Sequence, residues 1–197
     1  MIFDPLLYGF VLVGLFTPGP NVIMLTASGA RFGFWRSMPH LWGVVLGVGV
    51  VAAVTALGVG AAVTAQPWLN LALRLAAAAF ILWMAWGYWV SAGRPRAAGD
   101  SAERPLSLPG AFVFQAINPK VWTIAFVASA GYGASLPPLW EAARLGLAFS
   151  SVNLGVCLFW TVAAALLSVL LTRPRVWQVF LRAMAVLLAA SAILVFR

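Results

Sequence analysis

Lys120 lies inside a long apolar segment, where a charged side chain needs a physical reason. The stretch Phe114–Ile124 reads FQAINPKVWTI and places Asn118, Pro119 and Lys120 in immediate succession. A lysine at the centre of a membrane helix costs about 2.5–3.5 kcal/mol on insertion scales. Two roles would justify that cost. The amine could bind backbone carbonyls that the proline leaves without a partner, or it could bind an anionic group of a ligand.

A second stretch, near the N-terminus, interrupts an apolar segment in a similar way. It reads LFTPGPNVIML over Leu15–Leu25. The interrupting residues are Thr17, Pro18, Gly19, Pro20 and Asn21. Proline lacks an N–H and clashes with the preceding turn, so both segments are predicted to break into two half-helices. With a rise of about 1.5 Å per residue, both breaks fall near the middle of a hydrocarbon core roughly 30 Å thick.

The paired breaks predict a polar cavity at mid-membrane. Irregular backbone is tolerated at that depth only where it faces protein or a water-filled cavity. Asn118 is a good N-cap with Pro119 at the first helical position, and Gly19 with Pro20 repeats this arrangement less ideally. Two half-helix N-termini would bring N–H groups and positive partial charge to one place. The alternative is that the prolines merely kink two helices.

A cavity of this kind suits a zwitterionic ligand. Lys120 and the helix N-termini could hold a carboxylate, while freed carbonyls and amide side chains could accept hydrogen bonds from an ammonium group. We therefore expect an amino acid or a close relative to bind. The predicted substrate-binding residues are Thr17, Pro18, Gly19, Pro20, Asn21, Gln115, Asn118, Pro119, Lys120 and Asn153. Asn153 is equally compatible with lining the cavity and with bonding between helices.

Composition places the elements around this cavity in a bilayer. The 197 residues are 63% hydrophobic and only 8% charged, which is too apolar for a soluble domain. Six spans are predicted, roughly 5–29, 40–63, 69–91, 109–133, 142–170 and 176–196. The polar loop 92–108 joins halves of about 1–91 and 109–197 within a single transporter domain, 1–197. Because each half has three spans, we predict an all-α integral membrane protein with a 3+3 inverted repeat.

The basic residues predict the orientation of these spans. They occupy alternate loops, as Arg31, Arg36, Arg94, Arg96, Arg104, Arg173 and Arg175, whereas the connections 64–68 and 134–140 contain no Lys or Arg. The positive-inside rule puts the basic loops, including 92–108, in the cytoplasm and both termini in the periplasm. Arg74, Arg144 and Arg182 lie near span ends and are expected to snorkel. The net charge is +8, but the basic residues that produce it do not cluster into a basic stripe. Nucleic acid is therefore not an expected partner.

Three other features each have two interpretations. His40 is either a hydrogen-bonded polar residue near the cytoplasmic interface or, with Lys120, a group that couples transport to protons, because histidine ordinarily titrates near pH 6.5. The small-xxx-small segment Gly43–Gly47 either seats a dimer partner or packs within the chain. An aromatic cluster forms either an interfacial belt or a substrate cage. It comprises Trp83, Trp86, Tyr88 and Trp89.

Other function classes have less support in the sequence. An ion or metal exporter would need intramembrane carboxylates, but the acids Asp4, Asp100, Glu103 and Glu141 all lie near span ends or in loops. An intramembrane enzyme needs a nucleophile–base or metal constellation, which one histidine does not supply. Cys157 is the only cysteine and cannot form a redox pair within the chain. We expect no metal and no cofactor.

At these motifs the sequence resembles the lysine exporter (LysE/RhtB) family of bacterial amino-acid exporters. The resemblance covers the full length and the six-span layout. Its motifs are TPGPN at 17–21, GARFGFWRSMPHLWGVVLG at 29–47, FILWMAWGYW at 80–89 and NPK at 118–120. It implies export of amino acids or their derivatives across the inner membrane, generally driven by the proton gradient, and commonly a homodimer. The TPGPN motif looks closest to exporters of neutral or sulfur-containing amino acids.

The topology leads to a labelling prediction. Single cysteines replacing Ala98 or Ala134, in a Cys157→Ala background, should react with an impermeant thiol reagent from the cytoplasm and from the periplasm respectively. Each residue lies in a connection whose side follows from the basic residues. Labelling from the opposite sides would contradict the orientation.

Overall fold

The computed structural model describes residues 4–17, 19–58, 66–93, 104–167 and 173–194. All regular secondary structure in these ranges is α-helical, apart from a short 3-10 helix at Trp35–Ser37. The helices are α1 Pro5–Phe16, α2 Pro20–Phe32, α3 Met38–Ala56, α4 Pro67–Ala92, α5 Leu108–Ile117, α6 Pro119–Gly131, α7 Pro138–Leu167 and α8 Pro174–Leu194. The prediction of an all-α fold is confirmed.

Proline and short polar side chains set where these helices begin. Six of the helices listed above start at a proline, whose missing N–H costs nothing at the first helical position. Asp4 caps α1 by accepting a hydrogen bond from the Leu6 amide at 2.9 Å. Ser107 caps α5 by accepting one from the Gly110 amide at 3.2 Å. The helix starts are therefore encoded locally.

Two helix pairs are bent at the predicted breaks. The axes of α1 and α2 differ by 63°, and those of α5 and α6 differ by 62°. Four other helical segments are long and apolar enough to cross a membrane, and with each bent pair taken as one span the total reaches six. The described residues thus agree with six spans, of which the first and fourth are broken.

The same order of elements occurs twice along the chain. A bent pair is followed by two long helices in each half, as α1–α4 and again as α5–α8. Corresponding helices also contact each other, since α3 packs on α7 and α4 packs on α8. In addition, α3 contacts the bent pair of the second half and α7 contacts that of the first. This reciprocal packing is what a two-fold repeat requires.

The segment Gly43–Gly47 packs within the chain. A Cβ added to Gly43 would lie 2.7 Å from the Ala111 Cβ, with the Leu108 carbonyl closer still. A Cβ added to Gly47 would lie 2.6 Å from the Gln115 Cγ. The two glycines therefore let the α3 backbone approach α5 closely. Of the two interpretations, internal packing is the one that the contacts support.

Two details of the predicted second and fifth spans are wrong. Helix α3 ends at Ala56 and is followed by a turn in which Gly58 has φ of 90°, whereas we expected a span to residue 63, of which 59–63 lie outside the described residues. Helix α7 begins at Pro138, four residues before the predicted start at 142. The earlier start places Glu141 in the first turn, where it can pair with a residue one turn later.

Arg144 does not snorkel as predicted. Its side chain is 3% exposed, and its guanidinium lies 2.8 Å from a Glu141 carboxylate oxygen. It also donates a hydrogen bond to the Tyr132 carbonyl. A carboxylate one turn away keeps the buried charge paired, so the arginine does not need to reach water.

The aromatic cluster on α4 is divided between two environments. Trp83, Trp86 and Trp89 are exposed at the outer face of the helix bundle, where tryptophans of an interfacial belt would lie. Tyr88 is buried instead, with its hydroxyl 3.5 Å from the Met24 carbonyl of α2. The exposure of the three tryptophans agrees with an interfacial belt, whereas the buried Tyr88 does not belong to one.

Close packing at Gly43 leads to a stability prediction. Gly43→Ala should lower the melting temperature of the purified protein, because overpacking a tight contact destabilises a protein. The expected loss in the free energy of unfolding is about 1–3 kcal/mol. Gly155→Ala on α7 is the matched control, since nothing lies within 4 Å of its added Cβ and alanine is the better helix former. Equal effects of the two substitutions would show that the α3–α5 contact is not tight.

Candidate functional site

The two broken spans meet through the only lysine of the sequence. Lys120, in the first turn of α6, donates a hydrogen bond from Nζ to the Thr17 carbonyl at the end of α1. A Cβ added to Gly19 would lie 3.0 Å from both Cδ and Nζ of this lysine. Gly19 thus leaves the room that the lysine occupies. The structure shows the carbonyl-binding role, and the ammonium keeps two further donors for another acceptor.

A reciprocal pair of side-chain amides, Asn21 and Gln115, joins the same two spans close to this contact. The Asn21 Nδ2 donates to the Gln115 Oε1 at 2.8 Å, and the Gln115 Nε2 donates to the Asn21 Oδ1 at 3.1 Å. The Gln115 Nε2 also donates to the Ala111 carbonyl at 2.9 Å. Gln115 is fully buried, so the pair fixes α2 against α5 where water cannot compete.

Asn118 closes the break between α5 and α6 as predicted. Its Oδ1 accepts a hydrogen bond from the Lys120 amide at 3.2 Å, and its Nδ2 donates to the Gln115 Oε1 at 3.4 Å. The corresponding cap of α2 is Gly19, which provides no side-chain bond. The weaker cap of the first half was also expected from its sequence.

A small cavity lies between these groups and α7. Its volume is about 20 Å³, room for about one water molecule. It is lined by Leu15, Gly19, Pro20, Asn21, Val22, Leu25, Asn118, Lys120, Val121, Asn153, Val156, Cys157 and Trp160. Six of the predicted residues are among these, namely Gly19, Pro20, Asn21, Asn118, Lys120 and Asn153. The conformation is therefore closed around the predicted site.

The other predicted residues lie around or away from this cavity. Gln115 does not line the cavity but hydrogen-bonds to Asn21, which does. Thr17 accepts the Lys120 hydrogen bond through its backbone carbonyl, and its hydroxyl donates to the Val13 carbonyl. Pro119 begins α6 without lining the cavity, and Pro18 is outside the described residues. His40 lies in the wall of a different cavity.

The expectation of a hydrogen-bonded His40 is not met. The ring is 1% exposed, and neither nitrogen has a hydrogen-bond partner among the residues that the structure describes. The reason is its position in the wall of the other cavity, where no described donor or acceptor lies within hydrogen-bonding distance of either nitrogen.

Helix α7 forms one wall of the cavity, and of its lining residues only Asn153 was predicted from the sequence. Besides Asn153, it contributes Val156, Cys157 and Trp160. These follow Asn153 at helical spacings of three, four and seven residues, so they share its face. The Asn153 Nδ2 and the Trp160 Nε1 have no hydrogen-bond partner within the described ranges. Asn153 thus lines the cavity, and the two side chains leave donors available there.

Comparison with known proteins identifies the family of the chain. The model of the LysE type translocator family matches residues 12–197. The chain belongs to the LysE type translocator family. It is thus a membrane translocator and not an enzyme, and the suspected family resemblance is confirmed.

Three similar relatives bear the same description. The cysteine/O-acetylserine efflux proteins of Escherichia coli O157:H7, Escherichia coli K12 and Shigella flexneri serotype 5b are each 32% identical to this translocator over 113 residues. The aligned segment covers 57% of this chain and 56% of each relative. The chain thus spans little more than half the length of the curated relatives that it matches. No solved structure matches the chain.

The polar groups of the cavity are rich in donors. Lys120, Asn153 and Trp160 all carry N–H groups, and none of the described residues in the cavity lining is acidic. Within the described part of the chain, no group of three or more His, Cys, Asp or Glu residues could hold a metal ion. Such a wall is chemically suited to an acceptor with negative charge.

The amide pair leads to a double-mutant prediction. Asn21→Ala and Gln115→Ala should each destabilise the protein, and the double variant should lose less than the sum. Interhelical hydrogen bonds in a membrane protein average about 0.6 kcal/mol of coupling, with a maximum near 1.7 kcal/mol. Reversible unfolding in mixed micelles measures this coupling energy.

The matched control for that cycle combines Gln115→Ala with Ser191→Ala. Ser191 bonds only to the Leu188 carbonyl of its own helix α8, so these two substitutions should be additive. Additivity in the Asn21–Gln115 cycle as well would contradict the reciprocal pair.

Proposed function

We propose that this translocator exports amino acids or close derivatives from the cytoplasm across the bacterial inner membrane. The observation that carries this proposal is the cavity at the junction of the two broken spans. It is lined by Lys120 and by Asn153 and Trp160, whose side-chain N–H groups have no partner among the described residues. A carboxylate is the common biological group that such donors bind well. The cavity is also where a transporter with inverted repeats holds its substrate.

The contact between Lys120 and Thr17 suggests how a zwitterion would bind. In the closed conformation the lysine Nζ donates its hydrogen bond to the Thr17 carbonyl. A substrate carboxylate would replace that carbonyl as the partner of Nζ, and the substrate ammonium would then take the Thr17 carbonyl. The ammonium and the carbonyl each keep a partner before and after the exchange, so neither group incurs the cost of an unsatisfied polar group.

The size of the cavity requires a conformational cycle. At about 20 Å³ the cavity is too small for an amino acid, since ligand pockets usually measure about 300–1,000 Å³. The site must therefore open to load and to release. In our proposal, the half-helices α2 and α6 move against α7 and expose the site first to one side and then to the other.

Substrate preference and energy coupling complete the proposal. The names of the relatives favour neutral or sulfur-containing amino acids, such as cysteine and O-acetylserine, as the first substrates to test. We propose the proton gradient as the driving force, with Lys120 and His40 as the ionisable groups for coupling. The proposed arrangement is one domain with both termini in the periplasm and loop 92–108 in the cytoplasm, assembled as a homodimer.

Transport in inverted membrane vesicles tests this function. Vesicles that contain the protein should accumulate radiolabelled O-acetylserine when energised. Lys120→Met should lower the initial rate about tenfold or more, because it removes the cationic partner of the substrate carboxylate. Lys120→Arg keeps the charge but not the shape and should retain part of the activity.

The control is Arg182→Met, which removes a cation that is exposed and stacks over the Trp89 ring at 5.6 Å. It should transport at nearly the wild-type rate. Rates are compared at equal amounts of inserted protein. Normal transport by Lys120→Met would refute a role of the lysine charge.

A further inference from the structure

A second and larger cavity lies beyond the central one, along α2. Its volume is about 360 Å³, within the usual range for pockets that bind small molecules. Its walls come from the end of α2, the start of α3, the second half of α4 and the segment before α5. The basic loops assign this side of the protein to the cytoplasm. This cavity has room for a small molecule in the conformation in which the central cavity does not.

The lining of this second cavity favours an anionic group. Arg31 and Arg104 both line it, and guanidinium groups bind carboxylates in a bidentate geometry. His40 forms part of its wall with neither ring nitrogen hydrogen-bonded to a described residue. The described residues that line it include no acidic side chain. Trp83 and Trp86 add an apolar surface that could cover a small aliphatic side chain.

Helix α2 connects the two cavities directly. Asn21 and Leu25 line the central cavity, and Ser28 and Phe32 line the second one. Their spacings of four, three and four residues place all of them on one stripe of the helix. Between Leu25 and Ser28 the helix rises only about 4.5 Å. A ligand in the second cavity would therefore lie about one helical turn from the wall of the central site.

We propose that this second cavity is an intake site, which binds the carboxylate of a cytoplasmic amino acid between Arg31 and Arg104. His40 would hydrogen-bond the bound molecule from the cavity wall. Movement of α2 would then pass the substrate to Lys120, so that the carboxylate exchanges one cationic partner for the next. This inference rests on the proposed export function, and it adds a binding site that the central cavity does not include.

Protection of an introduced cysteine tests the intake site. Ser91 lines the second cavity and is partly buried. Ser91→Cys, in a Cys157→Ala background, should be alkylated by N-ethylmaleimide in inverted vesicles. O-acetylserine should slow the reaction by a factor of 1 + [L]/Kd, about tenfold at ten times its Kd. Trp35→Cys, at a highly exposed residue outside the cavity lining, should react at an unchanged rate.

Two further variants separate the two sites. The slowing should persist when Lys120→Met is added, because the intake site does not use the lysine. It should disappear when Arg31→Gln and Arg104→Gln are added together. O-acetylserine transport is assayed in parallel in vesicles that contain the wild-type protein, because Cys157 and Ser91 each line one of the two cavities.

The outcomes distinguish the intake site from the export function. Transport without any slowing at Ser91→Cys, or slowing that Lys120→Met abolishes, would overturn the intake site and leave the proposed function standing. Slowing without transport would support the site and overturn the proposed function. Neither slowing nor transport would overturn both.

Discussion

A carbonyl group released from its helix in the middle of a membrane must find a donor, because water is absent there. The proline-containing breaks create this need, and Lys120 meets it at Thr17. Gly19 leaves room for the lysine, since a Cβ at this position would lie 3.0 Å from Nζ and would press on it. One contact therefore satisfies a freed carbonyl, keeps a partly buried charge hydrogen-bonded and joins the two halves of the chain. The same contact is what a zwitterionic substrate would have to exchange.

The rest of the helix bundle holds that junction in position. Small residues bring the central helices α3, α5 and α7 close together; a Cβ on Gly146 would lie 3.2 Å from the Gly49 carbonyl. The reciprocal amides of Asn21 and Gln115 fix the adjoining half-helices. Since α4 and α8 pack mainly on each other, they lie beside this centre and leave the broken spans as the elements that can move. Rigid packing around two short half-helices provides a physical basis for a cavity that opens and closes.

Local chemistry allowed the helix breaks and much of the central site to be predicted, whereas features that depend on packing could not be. Pro119 and Asn118 specify a helix start by themselves, and the depth of Lys120 follows from residue counting. The partner of Gln115 is 94 residues away in sequence, so no local pattern indicates it. The prediction that Arg144 snorkels is wrong because the burial of this side chain depends on where α7 begins and on its pairing with Glu141. The second cavity involves three helices and a loop, and only the folded chain brings Arg31 and Arg104 to the same space.

The native Cys157 provides the most direct test of the claim that substrate binds where the broken spans meet. It is the only cysteine and lines the central cavity beside Asn153 and Lys120. The measurement is the alkylation rate of Cys157 in vesicles of the otherwise unchanged protein, with and without saturating O-acetylserine. We predict that the substrate protects Cys157 and that Lys120→Met abolishes this protection. Alkylation that is unaffected by a substrate the vesicles demonstrably transport would contradict a binding site at the helix breaks.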